Sequence, residues 1–122
     1  MIMAEIANDF IRQGGDKPFF LLASYADPHQ NLENIKKGPL FIEQVSGVPE
    51  KPLGYEDVEP FDFLGIDTPE IRQEVAGYYN SVARVDYGIG LLLDALAKAG
   101  YADNTLVIAV PNRMKYSRTL AE

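Results

Sequence analysis

The sequence predicts an α/β fold in which two parallel strands are joined by a long crossover helix, as part of a larger mixed sheet. Two apolar runs, residues 19–23 (FFLLA) and 105–110 (TLVIAV), lack the alternation of a half-exposed strand. Such runs are typical of strands that are buried on both faces. A long segment with the apolar period of a helix lies between them, and strand, helix and strand in this order predict a right-handed crossover.

A short helix is expected before the first strand. Ile2, Ile6 and Phe10 recur every four residues, with Ile11 beside them, which predicts one apolar face. The glycines at positions 14 and 15 end the helix, because glycine adopts the left-handed conformation of a helix stop. The first strand, residues 18–24, then follows this break.

Residues 25–68 form an irregular excursion without a clear period, punctuated by glycine and proline. Two interpretations remain open: a disordered insertion, or an ordered segment that wraps the body of the domain and walls a site. A structureless stretch of this length is unusual inside a compact domain. The aromatic residues favour the ordered interpretation, because disordered segments contain few of them. These residues are Phe41, Tyr55, Phe61 and Phe63.

The crossover helix has a clear start and stop. Thr68 suits the cap, Pro69 the first helical position, and Glu70 the positive end of the helix dipole. Gly100 is the predicted stop, which gives a helix of about 50 Å with a bend near Gly88 and Gly90. Its apolar stripe comprises Ile71, Val75, Tyr78, Val82, Val85, Ile89, Leu92 and Leu96.

Composition excludes several classes of function. The net charge of −7 and the lack of a Lys/Arg cluster argue against a nucleic-acid partner or an anionic membrane surface. The chain has no cysteine, hence no disulfide framework, thiolate metal site or cysteine nucleophile. No apolar run approaches the length of a membrane span. The N-terminal residues lack the pattern of a signal peptide, and the compartment is not predicted.

The candidate site follows the first strand. Asp27, Pro28 and His29 lie just past its carboxyl end, where open α/β sheets bind their ligands. His29 is the single histidine of the chain. Taken alone, it is read as a loop histidine that hydrogen-bonds to its neighbours; its position favours a site residue instead. Asp27 is either a local turn-former or a group that orients His29.

Other conspicuous residues have structural interpretations. Tyr78 and Tyr79 are expected to pack at the core and its rim, and Arg84 or Asp86 to pair with the irregular excursion. The acidic cluster in residues 56–62 does not have the spacing of a calcium loop of the EF-hand type. It is therefore predicted to be a solvated acidic turn.

Four stretches, taken together and in order, resemble the sulfatases of the alkaline-phosphatase-like superfamily, and most of all the heparan N-sulfatase (sulfamidase) type. They are residues 18–29 (PFFLLASYADPH), the pair at 78–79 (YY), 81–86 (SVARVD) and 102–108 (ADNTLVI). The likeness covers residues 1–110, which are expected to be part of a sulfatase catalytic domain. Residues 111–122 are a polar tail without this likeness.

The resemblance implies a fold and a chemistry. The fold would be a fragment of the alkaline-phosphatase-like sandwich. The family hydrolyses sulfuric esters or sulfamates, here of glycosaminoglycan-type sulfated carbohydrates. It uses a formylglycine, made from a Cys or Ser in a Cys/Ser-x-Pro-x-Arg motif, and a calcium ion. Family members are usually exported, periplasmic or lysosomal.

Carried over residue by residue, the likeness assigns His29 as the histidine that contacts sulfate. Asn112 occupies the position of a metal-binding aspartate, and Arg113 that of its partner. No Cys/Ser-x-Pro-x-Arg motif occurs in the chain. The early acidic metal ligands would precede residue 1, so the sequence is expected to be an internal fragment. The abrupt loss of likeness after Val110 suggests a frame change, a truncation or an irregular gene model.

Two functions of different classes follow. The first is a partial sulfatase that is inactive as this chain alone. The second is a non-catalytic remnant or binding module that retains only the sulfate-facing corner. A phosphatase or phosphodiesterase of the same superfamily is disfavoured, because one histidine cannot supply the metal ligands. With the early strands absent, self-association through an exposed sheet edge is also expected.

Overall fold

The computed structural model describes residues 2–15, 17–30 and 38–110, with side chains described from Ala4 onward. It contains two α-helices, α1 (Ile2–Gln13) and α2 (Pro69–Lys98). Three single 3₁₀ turns, at Tyr55–Asp57, Asp62–Leu64 and Ala102–Asn104, lie on either side of α2. Within these residues neither helix combines the length and apolarity needed to cross a lipid bilayer.

The two predicted strands are not confirmed. In the part of the chain that the structure describes, residues 18–24 and 105–110 form no ladder with each other or with another segment. The first segment nevertheless alternates, since Leu21, Ala23 and Tyr25 are partly buried while Phe20 (88%) and Leu22 (77%) are exposed. One face of the segment therefore packs on the helices, whereas the sequence had indicated burial on both faces.

Helix α1 buries a different face from the one predicted. Ala4, Ala7 and Ile11 are buried, whereas Ile6 and Phe10 are 58% and 45% exposed. The small alanines let α1 approach α2 closely, and Ile11 completes a core with Ala95, Leu96 and their neighbours. The face predicted from the larger residues was therefore wrong for Ile6 and Phe10.

Both ends of α2 form as predicted. The Thr68 hydroxyl accepts a hydrogen bond from the backbone N–H of Ile71 at 3.3 Å, and Pro69 occupies the first turn. At the other end Gly100 is left-handed (φ 78°). The Tyr101 N–H bonds to the Leu96 carbonyl at 2.9 Å, which closes the helix with a Schellman motif. Gly14 ends α1 similarly, with φ 58° and an N–H bond to the Ile11 carbonyl at 3.2 Å.

Helix α2 runs without interruption for 30 residues, through Gly88 and Gly90. Val75 and Leu96 of the predicted stripe are buried, but Val82 is exposed. Much of the buried surface instead comes from small residues, which let other segments lie against the helix backbone. These residues are Ala76, Gly77, Ser81, Gly88 and Ala95.

Side chains of α2 hold the described part of the excursion, residues 38–68. Asn80, which is 1% exposed, accepts from the Leu53 N–H at 2.8 Å and donates to the Leu53 carbonyl at 2.9 Å. The Glu74 carboxylate accepts from the Leu40 N–H at 3.1 Å. These bonds satisfy backbone groups that lack a helix or ladder partner. The described part of the excursion is therefore packed on α2, in line with the ordered interpretation, while its role as the wall of a site stays a prediction.

Candidate functional site

The residues of the candidate site lie in a closed turn. The backbone N–H of His29 donates to the Ala26 carbonyl at 2.9 Å, which brings residues 26–29 together. The turn follows the segment 18–24 that packs on α1 and α2. His29 is exposed, whereas Asp27, two residues earlier in the same turn, is half-buried. The structure therefore presents the single histidine at the surface of a turn with a fixed backbone.

A bidentate ion pair anchors this turn to α2. The Arg84 Nε lies 2.8 Å from Asp27 Oδ2, and its Nη2 lies 3.1 Å from Oδ1. The Arg84 side chain is 8% exposed and that of Asp27 is 35% exposed. A paired fork of this kind fixes direction as well as distance. Asp27 is therefore more than a local turn-former: its carboxylate joins the turn to a helix 57 residues away.

Arg84 also holds the excursion. Its Nη1 donates to the Ile42 carbonyl at 2.8 Å and to the Glu43 carbonyl at 3.3 Å. The same guanidinium thus contacts two separate segments, the turn at 26–29 and residues 42–43. The sequence indicated that Arg84 or Asp86 pairs with the excursion, which is confirmed for Arg84. It did not reveal Asp27 as the acidic partner, since nothing local links the two positions.

Tyr25 fits against the helix beside this pair. A Cβ at Gly88 would stand 2.8 Å from Tyr25 Cε1, so the ring rests where a larger residue would collide with it. The Tyr25 hydroxyl is buried and has no hydrogen-bond partner among the residues that the structure describes. Burial raises the pKa of this hydroxyl.

The described residues do not fit a calcium ion. They contain no group of three or more His, Cys, Asp or Glu side chains that would hold a metal. Asn112 and Arg113, the predicted metal positions, lie outside the described residues. A formylglycine has no precursor here either, since the sequence contains no Cys/Ser-x-Pro-x-Arg motif.

The acidic cluster and the tyrosine pair have structural contacts. Asp57 accepts from the Gly54 N–H at 2.8 Å, and Glu56 accepts from the Tyr55 hydroxyl at 2.9 Å. Tyr78 and Tyr79 have ring centroids 5.8 Å apart. Tyr78 is partly buried and Tyr79 exposed, so they lie at the core and its rim as predicted.

An open cleft of about 360 Å³ lies elsewhere, at the start of α2. None of the predicted site residues lines it. Its walls carry the carboxylates of Glu56 and Asp67, and Asp67 is paired with Arg72 at 2.6 Å. Arg72 also lines the cleft, but its guanidinium is already paired with Asp67, so the two carboxylates make the cleft a poor match for an anionic substrate such as sulfate.

Comparisons with known proteins agree on one family. The Sulfatase family model matches residues 1–110. The chain is 30% identical over 112 residues to the human N-sulphoglucosamine sulphohydrolase, covering 84% of the chain and 22% of the relative. It is 28% identical over 106 residues to a sulfatase of Formosa agariphila, covering 75% of the chain and 21% of that protein. It is 29% identical over 114 residues to an arylsulfatase of Clostridium perfringens, covering 84% of the chain and 23% of that protein.

The chain therefore spans about a fifth of the length of these curated relatives. No solved structure matches it. The family match covers both helices, the excursion and the turn that carries His29, and the family has an alkaline-phosphatase-like α/β fold. On this evidence, the chain is a member of the sulfatase family.

Proposed function

We propose that this chain contributes the sulfate-facing corner of a sulfatase catalytic domain, in which residues 1–110 are a part of that domain. His29 would contact the sulfate group of the substrate. The observation that carries the proposal is the closed turn at 26–29. It presents the single histidine of a family-matched chain on a backbone tied to α2 by the Asp27–Arg84 ion pair.

The proposed substrate class is a sulfated carbohydrate of the glycosaminoglycan type, cleaved as a sulfuric ester or a sulfamate. The name of the human N-sulphoglucosamine sulphohydrolase supports a sulfated amino sugar, and that of the clostridial arylsulfatase supports an aryl ester. The sulfated amino sugar and the aryl ester both present the oxygen atoms of a sulfate group. A histidine N–H is a suitable donor to such an oxygen, and this contact is common to both substrates.

We propose that residues 18–24 and 105–110 are the two parallel strands of the sheet, completed by neighbouring strands of a full sulfatase domain. The alternation in residues 20–25, with Leu21 packed inward on the α1–α2 core and Phe20 outward, supports this arrangement. Leu106, Ile108 and Val110 are also exposed. The alternative is that a second copy of the chain covers these exposed side chains. In that case, sedimentation across a concentration series would detect a dimer.

As this chain alone, the protein is proposed to be inactive, because the formylglycine motif is missing from the sequence. The metal site would likewise be incomplete, with Asn112 at a degenerate ligand position. The second candidate function is therefore a non-catalytic remnant that keeps only the sulfate contact. Both candidates include the sulfate contact of His29 and no turnover by this chain alone; they differ in whether the chain is part of a working catalytic domain.

The single histidine makes the binding test direct, because the ring signals of His29 in an NMR spectrum cannot be confused with another residue. Sodium sulfate is titrated into the chain, with sodium chloride at equal ionic strength as the control. A saturable change at the His29 ring with sulfate alone supports the proposal. Identical changes with both salts would overturn the assignment of His29.

Turnover is tested with 4-nitrophenyl sulfate and glucosamine N-sulfate in the presence of calcium. We expect no sulfate release above the blank from this chain. If the chain releases sulfate and His29→Ala abolishes this release, the chain is an active enzyme and not a non-catalytic remnant. Release that persists in His29→Ala would remove His29 from the reaction.

A further inference from the structure

Arg84 is placed to control where His29 points, although it does not lie in the turn. Its guanidinium donates to four acceptors: both carboxylate oxygens of Asp27 and the carbonyls of Ile42 and Glu43. Asp27 is two residues before His29, inside the turn closed by the Ala26–His29 hydrogen bond. The guanidinium is therefore linked, through the Asp27 carboxylate, to the turn that carries the histidine.

We propose that Arg84 is a positioning residue for His29, acting through Asp27. The inference rests on the proposed function only in naming His29 as the sulfate contact. Arg84 itself holds the turn and the excursion in a fixed relation, so that the histidine faces one direction relative to α2. A planar fork suits this task, because it sets two hydrogen bonds in one plane, which an ammonium group does not do.

Burial supports positioning over a surface ion pair. The Arg84 side chain is 8% exposed. Water therefore has little access to the N–H groups of Arg84, and loss of the Asp27 carboxylate would leave some of these donors without an acceptor. Exposed ion pairs, by contrast, readily exchange their partners for water.

The chain contains a matched control for Arg84. Arg72, twelve residues earlier on the same helix, has the same architecture: Nε and Nη2 fork onto Asp67 at 2.6 and 2.8 Å, and Nη1 donates to the Val58 carbonyl at 2.7 Å. Twelve residues are about 18 Å along a helix. Arg72→Lys therefore breaks a clasp of the same geometry, although a more exposed one, away from the turn.

The experiment compares Arg84→Lys with Arg72→Lys in the full chain, using the His29 ring signals. We expect Arg84→Lys to shift and broaden these signals while Arg72→Lys leaves them unchanged. Equal effects of the two substitutions would overturn the proposal. Asp27→Asn, which leaves α2 intact, is expected to reproduce the effect of Arg84→Lys and takes its place if that variant does not fold. Unchanged His29 signals in a folded Asp27→Asn would also overturn the proposal.

Sulfate titration of the same variants separates this inference from the proposed function. We expect Arg84→Lys to raise the apparent Kd for sulfate by about tenfold, because a small displacement of a contacting group has a large cost. Arg72→Lys should leave it unchanged. If sulfate does not affect His29 in the unmodified chain, the sulfate assignment fails. The comparison of ring signals still decides whether Arg84 positions the histidine.

Discussion

The Tyr25 ring packs directly against α2 at Gly88, which has no side chain. A Cβ at this position would lie 2.8 Å from Tyr25 Cε1 and 3.4 Å from both Cζ and the hydroxyl oxygen. Tyr25 directly precedes the turn that carries His29. The absence of a side chain at Gly88 therefore sets how closely the start of the turn approaches the helix.

Gly88→Ala is expected to destabilise the protein by about 1–3 kcal/mol, because the new methyl group displaces a packed ring. Gly90→Ala is the control, since a Cβ there meets nothing within 4 Å. It is expected to stabilise the helix by up to about 1 kcal/mol. Urea unfolding measures both changes, and a stabilised Gly88→Ala variant would contradict the close packing of Tyr25.

Asn80→Ala is expected to lower the free energy of unfolding by about 1–3 kcal/mol. The substitution removes both hydrogen bonds to Leu53 and leaves its backbone N–H and carbonyl without their partner. Gln44→Ala serves as the comparison, because Gln44 is exposed and its side chain donates to the Pro49 carbonyl at 2.8 Å. Its effect should stay within about 0.5 kcal/mol. Equal losses in the two variants would rule out a special role for Asn80.

Ionisation of Glu74 is expected to lower the free energy of unfolding as the pH rises above 4.5, the ordinary pKa of this side chain. Burial raises the pKa of Glu74 in the folded chain, although backbone N–H groups of Leu40 and Phe41 oppose the change. The folded state therefore binds the proton more tightly than the unfolded state, and this stabilisation is lost as the pH rises through the folded pKa. Unfolding in urea at a series of pH values measures the slope.

Glu74→Gln should remove this slope while its amide oxygen still accepts from Leu40. Glu70→Gln is the control on the same helix. The pKa of Glu70 is lowered by its own backbone N–H and by Thr68, so that side chain does not titrate in the same window. A slope that survives in Glu74→Gln would contradict the assignment.

Asp67 should act in the opposite direction at lower pH. The hydrogen bond from Arg72 lowers the pKa of Asp67 below its ordinary 3.8. Its contribution to stability is therefore present above 3.8 and lost as the pH falls through the folded value. Asp67→Asn should flatten the acid limb of the stability curve at low salt. Added salt should weaken the effect, because the pair is exposed.

The ends of the helices were predictable because their signals are local. Thr68 caps α2 within three residues, and Gly14 and Gly100 adopt the left-handed conformation that the stops require. The buried face of α1 was not predictable in the same way. The larger side chains of Ile6 and Phe10 suggested a face, but close packing on α2 selected the small residues Ala4 and Ala7.

Strands and long-range contacts require partners that a single sequence does not identify. Residues 18–24 carry the apolar character of a strand, but a strand forms only with a ladder partner, and the described residues supply none. The turn with His29 was found from its position after this segment. Its anchor was not, because Asp27 and Arg84 are 57 residues apart and no local pattern links the two positions.

The hydrogen bonds from α2 to the excursion have a consequence for local opening. The Leu40 and Leu53 amides lie outside any helix, yet their acceptors are Glu74 and Asn80 on α2. A loop amide usually exchanges with solvent freely, but these two are expected to be protected while the loop stays packed on the first half of the helix. We therefore expect residues 38–68 and α2 to open together, so that these amides of an irregular segment show hydrogen-exchange protection like that of the helix.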